Sequence, residues 1–134
     1  MVCMLDTVHC VHLLMRSPQV IPQAPIRDCR VSTVVVGELE TGVLQSSGTA
    51  RQRNHEALLD FLSAVQVYSL DEYVAQAYAG LRAGTGHPAP AVQGNELWVI
   101  AHALALELPL VTHRAHQLAD VPGLVADSWL GAGG

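Results

Sequence analysis

The stretch that decides the fold is NELWVIAHALALELPLVT, residues Asn95–Thr112. Its first part is apolar on every face, and a helix of that kind is normally buried. Pro109 cannot continue the helix because it has no N–H to donate, and the LVT that follows is typical of a short buried strand. We expect the side chain of Asn95 to cap the helix. Glu96 then lies in the first turn, where the positive end of the helix dipole favours a carboxylate.

The rest of the chain alternates in the same way between apolar strands and periodic helices. Strands are predicted over 2–5, 30–34, 65–70, 110–112 and 124–129. Helices are predicted over 8–15, 34–45, 51–64, 72–84, 95–108 and 115–119. The helix at 72 is expected to begin at a capping box formed by Ser69 and Glu72. Such alternation indicates the α/β class, with a parallel sheet covered by helices on both faces.

Functional sites of parallel sheets form beyond the carboxyl ends of the strands. Asp6 and Thr112 both lie at such ends. The Gly- and Pro-rich segment 84–94 is the expected flexible lid beside Glu96. We find no repeat and no internal boundary, and we therefore predict a single domain over residues 1–134, with a Gly-rich tail at 130–134.

Composition restricts the function classes. The 134 residues are 50% hydrophobic and 14% charged, which is typical of a compact globular domain. All seven basic residues are arginine and the net charge is −5. This balance argues against broad, sequence-independent coating of nucleic acid, but it permits clustered carboxylates whose charge is offset by a bound cation.

The N-terminus and the cysteines predict a cytoplasmic protein. Asp6 and His9 interrupt the first apolar run, so it does not resemble a secretion signal. No run of 18 apolar residues is present to span a membrane. The odd number of cysteines (Cys3, Cys10 and Cys29) fits neither a disulfide framework nor a CxxC zinc pattern, and a reducing compartment is the simplest interpretation.

Three acids carry the functional hypothesis, although each has an ordinary structural interpretation. Asp6 ends an apolar run, where a charge requires compensation, but Asp is also a good N-cap for the helix that follows. Glu38 is flanked by apolar residues, but a single Glu on a helix is usually solvated. Glu96 alone is most simply a carboxylate that helps to start its helix. The three must converge before chemistry becomes the better interpretation.

In this order, the blocks MLDT, GELETG and NELWVIAHALAL, followed by LVT and VPGL, resemble the PIN-domain ribonucleases, especially the VapC toxins of bacterial toxin–antitoxin pairs. The resemblance covers about residues 1–16, 31–44 and 92–129. It implies a PIN-like three-layer α/β/α fold with a central parallel sheet. It also implies a metal-dependent endoribonuclease that cleaves single-stranded or loop RNA, forms a homodimer and is neutralised by a small VapB-like antitoxin.

By the same resemblance, Asp6, Glu38 and Glu96 match the acids that hold Mg²⁺ or Mn²⁺ and support catalysis. Hard divalent ions prefer carboxylate and water oxygens, and a bound ion activates water and stabilises charge on a phosphodiester. The candidates for contacting the RNA substrate are Thr7, Ser32, His113 and Arg114.

The chain departs from the family pattern at several positions. Glu96 stands where Asp is usual, and Val8 stands where Asn commonly follows the first DT. After LVT, the family often has Asn and then Asp or Asn, whereas this chain has His113 and Arg114. His113 is either an unusual ligand, a proton carrier or a residue that closes the strand end. Arg114 either holds a substrate phosphate, repels the metal or has only a structural role.

Other hypotheses are open, the first of them because of these departures. One is a catalytically degenerate PIN-fold module that binds RNA or antitoxin without cleavage. Another is a metal-free flavodoxin-like interaction domain, which the lack of a Gly-rich phosphate loop disfavours.

A zinc site is also disfavoured, because His9 and His12 share a helix face without a Cys or acid placed to complete a tetrahedron. His102, inside the alanine-rich helix, is expected to be a hydrogen-bonded core residue.

Overall fold

The computed structural model describes residues 1–84, 92 and 94–131. Within these ranges five strands form one parallel sheet, and α-helices connect and cover them. The strands are β1 (Cys3–Leu5), β2 (Cys29–Ser32), β3 (Gln66–Tyr68), β4 (Leu110–Val111) and β5 (Ala126–Asp127). The helices are α1 (Thr7–Leu14), α2 (Thr33–Gln45), α3 (Gly48–Ala64), α4 (Glu72–Arg82) and α5 (Asn95–Leu106). The predicted α/β/α architecture with a central parallel sheet is confirmed.

Strand β1 lies at the centre of the sheet, whose order is β3-β2-β1-β4-β5. Met4 pairs with Arg30 of β2 on one side and with Leu110 of β4 on the other. All three residues of β1 are fully buried. A strand covered on both faces has no solvent side, which explains why its sequence is a continuous apolar run rather than an alternating one.

Helix α5 is buried along most of its length, as its composition predicts. Leu97, Ile100, Ala101 and Ala103 belong to the hydrophobic core. Trp98 stacks on Tyr78 of α4 with the ring centroids 3.7 Å apart. The small alanine side chains allow neighbouring elements to approach this helix closely. Its first turn is thereby held at the carboxyl edge of the sheet, next to the ends of β1 and β4.

Several local predictions were wrong in detail. Asn95 is the first helical residue of α5, and the N-cap is Gly94, whose φ of 60° favours glycine. Helix α4 is capped by Asp71, which accepts a hydrogen bond from the Val74 N–H, and not by Ser69. Residues 113–120 form successive turns instead of a short helix. For the two caps, a neighbouring residue met the geometric requirement better than the one predicted.

The predicted lid at 84–94 falls mostly on residues 85–91 and 93, which lie outside the described residues, as does most of the Gly-rich tail. Across the part of the chain that is described, no helix combines the length and the apolar character needed to cross a membrane.

Candidate functional site

A cavity of about 200 Å³ opens at the carboxyl edge of the sheet. Its walls come from the ends of β1 and β4, the first turns of α1 and α5, Glu38 of α2, and the turns after β4. The polar side chains that line it are those of Asp6, Thr7, Glu38, Glu96, Thr112 and His113. The structure therefore brings the three predicted acids to one cavity, although they are far apart in the sequence.

Asp6 is the most constrained of the three acids. The Oδ1 of Asp6 accepts two hydrogen bonds from His9, one from the backbone N–H and one from the ring nitrogen Nδ1, both at 2.8 Å. Its Oδ2 accepts equivalent bonds from His113, both at 2.9 Å. The bond to the His9 backbone makes Asp6 the N-cap of α1. The capping role considered from sequence and the position in the cavity are thus compatible.

These hydrogen bonds control the charge of Asp6. Burial by itself would raise the pKa of the carboxyl group, but the bonds from His9 and His113 outweigh it and lower the pKa to about 2. Asp6 is therefore ionised throughout the neutral range. The negative charge of Asp6 is thus maintained by the protein's own hydrogen bonds.

His9 is a site residue that sequence reasoning did not assign. It is fully buried, and its Nε2 accepts a hydrogen bond from the backbone N–H of Trp129 at 3.1 Å. Because Nε2 is the acceptor, the neutral ring carries its proton on Nδ1 and donates it to Asp6. Its position three residues after Asp6 is a sequence signal from which the bond to Asp6 could have been predicted. The bond to Trp129 joins residues 120 apart, and no sequence pattern indicates it.

Glu38 projects from α2 toward the start of α1. The hydroxyl of Thr7 donates a hydrogen bond of 2.7 Å to its Oε1. Both residues are half-buried. Thr7, which directly follows Asp6 in the chain, therefore orients the Glu38 carboxylate within the cavity.

Glu96 pairs with Arg114. The Nε of Arg114 donates to Oε2 of Glu96, and its Nη2 donates to Oε1 at 3.3 Å. The carboxylate raises the pKa of Arg114 further above its ordinary value, so the guanidinium stays charged. This pairing with an acid of the cavity was not among the roles considered for Arg114 from the sequence.

Ser32 is not brought to the cavity. It is fully buried, its Oγ accepts the Val34 N–H as the N-cap of α2, and it bonds Nδ1 of His102 at 2.8 Å. The expectation that His102 is a hydrogen-bonded core residue is confirmed. Desolvation by burial lowers the pKa of His102, which favours the neutral ring.

The residue types at the cavity suit a hard divalent ion, since carboxylate and hydroxyl oxygens are the donors that Mg²⁺ and Mn²⁺ prefer. Their present arrangement is less suitable. Within the described ranges, no three His, Cys, Asp or Glu side chains are close enough to hold an ion together. Asp6 is saturated by N–H donors and Glu96 is held by Arg114. The donor set fits a metal by its chemistry, but Asp6 would first have to release one of its hydrogen bonds and Glu96 would have to exchange its partner.

Sequence comparisons identify relatives of the chain. The PIN domain family model matches residues 3–124. The chain is 26% identical over 134 residues to ribonuclease VapC2 of Rickettsia felis, covering 96% of this chain and 98% of the relative. It is 32% identical over 104 residues to ribonuclease VapC5 of Mycobacterium tuberculosis, covering 76% of each.

Structure comparison gives the same fold. The VapBC2 complex of Rickettsia felis, solved bound to a DNA fragment from its promoter, contains a chain that matches with a TM-score of 0.78. The match covers 96% of this chain and 99% of that one, at 23% sequence identity. At this identity the likeness establishes a common fold, and the site must be judged from its own residues.

Proposed function

Because this chain belongs to the PIN-domain family, and VapC ribonucleases are among its relatives, we propose that it is a VapC-like toxin with endoribonuclease activity. The observation that carries this proposal is the convergence of Asp6, Glu38 and Glu96 on one cavity at the carboxyl edge of the sheet. Clustered acids in a protein of net charge −5 suit a small, cation-assisted site rather than an extended basic groove for nucleic acid.

We propose Mg²⁺ or Mn²⁺ as the cofactor, held by Asp6, Glu38 and Glu96. An ion bound in such a site would activate a water molecule and stabilise the charge on the phosphodiester. The chain's own contribution is to keep the carboxylates ionised and oriented. The His9 and His113 bonds do this for Asp6, and Thr7 does it for Glu38.

The proposed substrate is single-stranded or loop RNA. The cavity is small and lies at the edge of a sheet, so an accessible phosphodiester suits it better than one inside a duplex. Thr7 and His113 line the cavity, and Arg114 lies beside it through its bond to Glu96, so these three are the proposed substrate contacts. Ser32 is left out because it is fully buried and bonded to His102.

The proposed partners are a small VapB-like antitoxin and a second copy of the chain, in the cytoplasm. Large apolar side chains on and after α1 remain exposed, among them Met15 at 70% and Ile21 at 61%. A second group lies around β3 and the start of α4, including Leu70 and Tyr73. Apolar side chains grouped in this way are consistent with surfaces that partners cover.

The activity can be tested with the purified protein and an end-labelled single-stranded RNA in Mn²⁺. We expect cleavage that stops in EDTA and is lost in Asp6→Asn and Glu38→Gln. The loss should exceed the roughly 10–100-fold that removal of an outer-sphere partner usually costs. Asp60→Asn, which changes an exposed carboxylate of α3, is the matched control and should cleave normally.

A second candidate is a degenerate PIN module that binds RNA or antitoxin without cutting, and the pairing of Glu96 with Arg114 favours it. The same experiment separates the two. RNA binding without cleavage at any Mn²⁺ concentration supports the binding module. Residual cleavage that Asp6→Asn leaves unchanged also supports it, because such cleavage does not depend on the acids of the cavity.

A further inference from the structure

Arg114 is held at the cavity by three groups. Its backbone N–H donates to Oγ1 of Thr112 at 3.0 Å, which fixes the turn after β4. Its Nη1 donates to Oε1 of Gln117 at 2.9 Å. The remaining face of the guanidinium, Nε and Nη2, is directed at the two oxygens of Glu96. This is a built arrangement, in which neighbouring residues present one cation to one carboxylate.

The pair occupies the oxygens that a divalent ion would need. A guanidinium is always charged, and its planar fork matches a carboxylate with two parallel bonds. Both side chains remain partly accessible, with 24% of Arg114 and 41% of Glu96 exposed. An ion pair in such a position is stabilised only modestly, because water competes for both partners. It can therefore open and close without disturbing the fold.

We propose that Arg114 is an internal cation that competes with the divalent ion for Glu96, so that the ion is bound only when the guanidinium leaves. This inference rests on the proposed function, because it refines the metal assignment of the same cavity. Gln117 and the turn after β4 keep the released side chain beside the cavity. The arginine thus sets how much free divalent ion is needed to load the site.

The test is Mn²⁺ binding by the full chain without RNA, measured by calorimetry and by the electron paramagnetic resonance signal of free Mn²⁺. We expect Arg114→Gln to bind Mn²⁺ about fivefold more tightly, which corresponds to the upper range for an exposed ion pair. Arg53→Gln is the matched control, since it removes the same charge from an exposed position on α3. Its affinity should equal that of the parent protein.

A second variant keeps the test independent of local damage. Gln117→Ala removes one anchor of the guanidinium and should tighten Mn²⁺ binding in the same direction, by less. In the background of Glu96→Gln, the Arg114→Gln change should have no effect, because the carboxylate for which the cations compete is gone.

The outcomes distinguish this inference from the proposed function. Equal or weaker Mn²⁺ binding in Arg114→Gln, or equal tightening in Arg53→Gln, overturns the competition and leaves metal-dependent cleavage intact. Absence of Mn²⁺ binding in every variant overturns the metal assignment and the competition together. Cleavage of RNA in EDTA is a separate measurement, and it bears on the metal dependence of the proposed function alone.

Discussion

At Asp6, four N–H groups act against burial on a single carboxyl group. The outcome is a pKa of about 2, compared with an ordinary value of 3.8. A carboxyl whose pKa is lowered by folding contributes stability above its unfolded pKa, and this contribution is lost as the pH falls toward the folded pKa. The window for Asp6 is therefore about pH 4 to pH 2.

We predict that Asp6→Asn lowers the free energy of unfolding at pH 7, and that its deficit relative to the parent shrinks by about 2 kcal/mol between pH 5 and pH 2. The measurement is urea unfolding in EDTA at a series of pH values. Asp60→Asn, on the exposed side of α3, controls for the loss of any carboxyl. A deficit that stays constant with pH would show that the bonds from His9 and His113 do not hold the charge of Asp6.

At the scale of elements, α2 carries Glu38 but contains two glycines inside the helix, Gly37 and Gly42. Glycine in a helix is less favourable than alanine because it loses more backbone freedom on folding. At Gly42 an added Cβ would meet nothing within 4 Å. We therefore predict that Gly42→Ala raises the free energy of unfolding by about 0.5–1 kcal/mol, measured by chemical denaturation.

Gly48, at the start of α3, is a control for which the opposite effect on stability is expected. Space is also open there, but its φ is +60°, in the left-handed region where a Cβ is strained. Gly48→Ala should destabilise by about 1–2 kcal/mol. If both alanines act in the same direction, backbone conformation is not what distinguishes these positions.

At the scale of the whole molecule, the segment around Trp129 packs against α1 and the residues that follow it. Trp129 is 2% exposed and its backbone N–H bonds the buried His9 ring, which in turn bonds Asp6. Its carbonyl accepts the Ile21 N–H, and Val20 bridges to Leu130. The segment around Trp129 is therefore connected to the cavity through one histidine.

We predict that Trp129→Ala lowers the free energy of unfolding by about 3–5 kcal/mol, because it removes a large buried side chain and leaves a cavity. Thermal and urea unfolding provide the measurement. Val125→Ala is the control on the same segment, where the side chain is 63% exposed, and it should change stability by less than about 0.5 kcal/mol. Equal losses in the two variants would show that burial at Trp129 is not the cause.

The sequence by itself determined which segments form strands and helices and which acids are the candidates for the site. The all-apolar runs of β1 and α5 required burial on every side, and this led to a parallel sheet between helices with acids at its carboxyl edge. Local caps were less predictable. Asp71 caps α4 because several neighbouring residues can accept the same orphan N–H groups, and Gly94 precedes α5 because the backbone there has a positive φ. The resemblance to PIN domains added the assignment of the three acids to one site.

Only the tertiary structure decided which partner each functional group has. Asp6 meets His113 across 107 residues, His102 meets Ser32 across 70, and Arg114 meets Glu96 across 18. Sequence patterns report neighbours one turn apart, whereas these hydrogen bonds depend on strand order and on how the helices pack. For that reason the acids and Arg114 could be named from the chain as candidates, but the pairing of Arg114 with Glu96 could not.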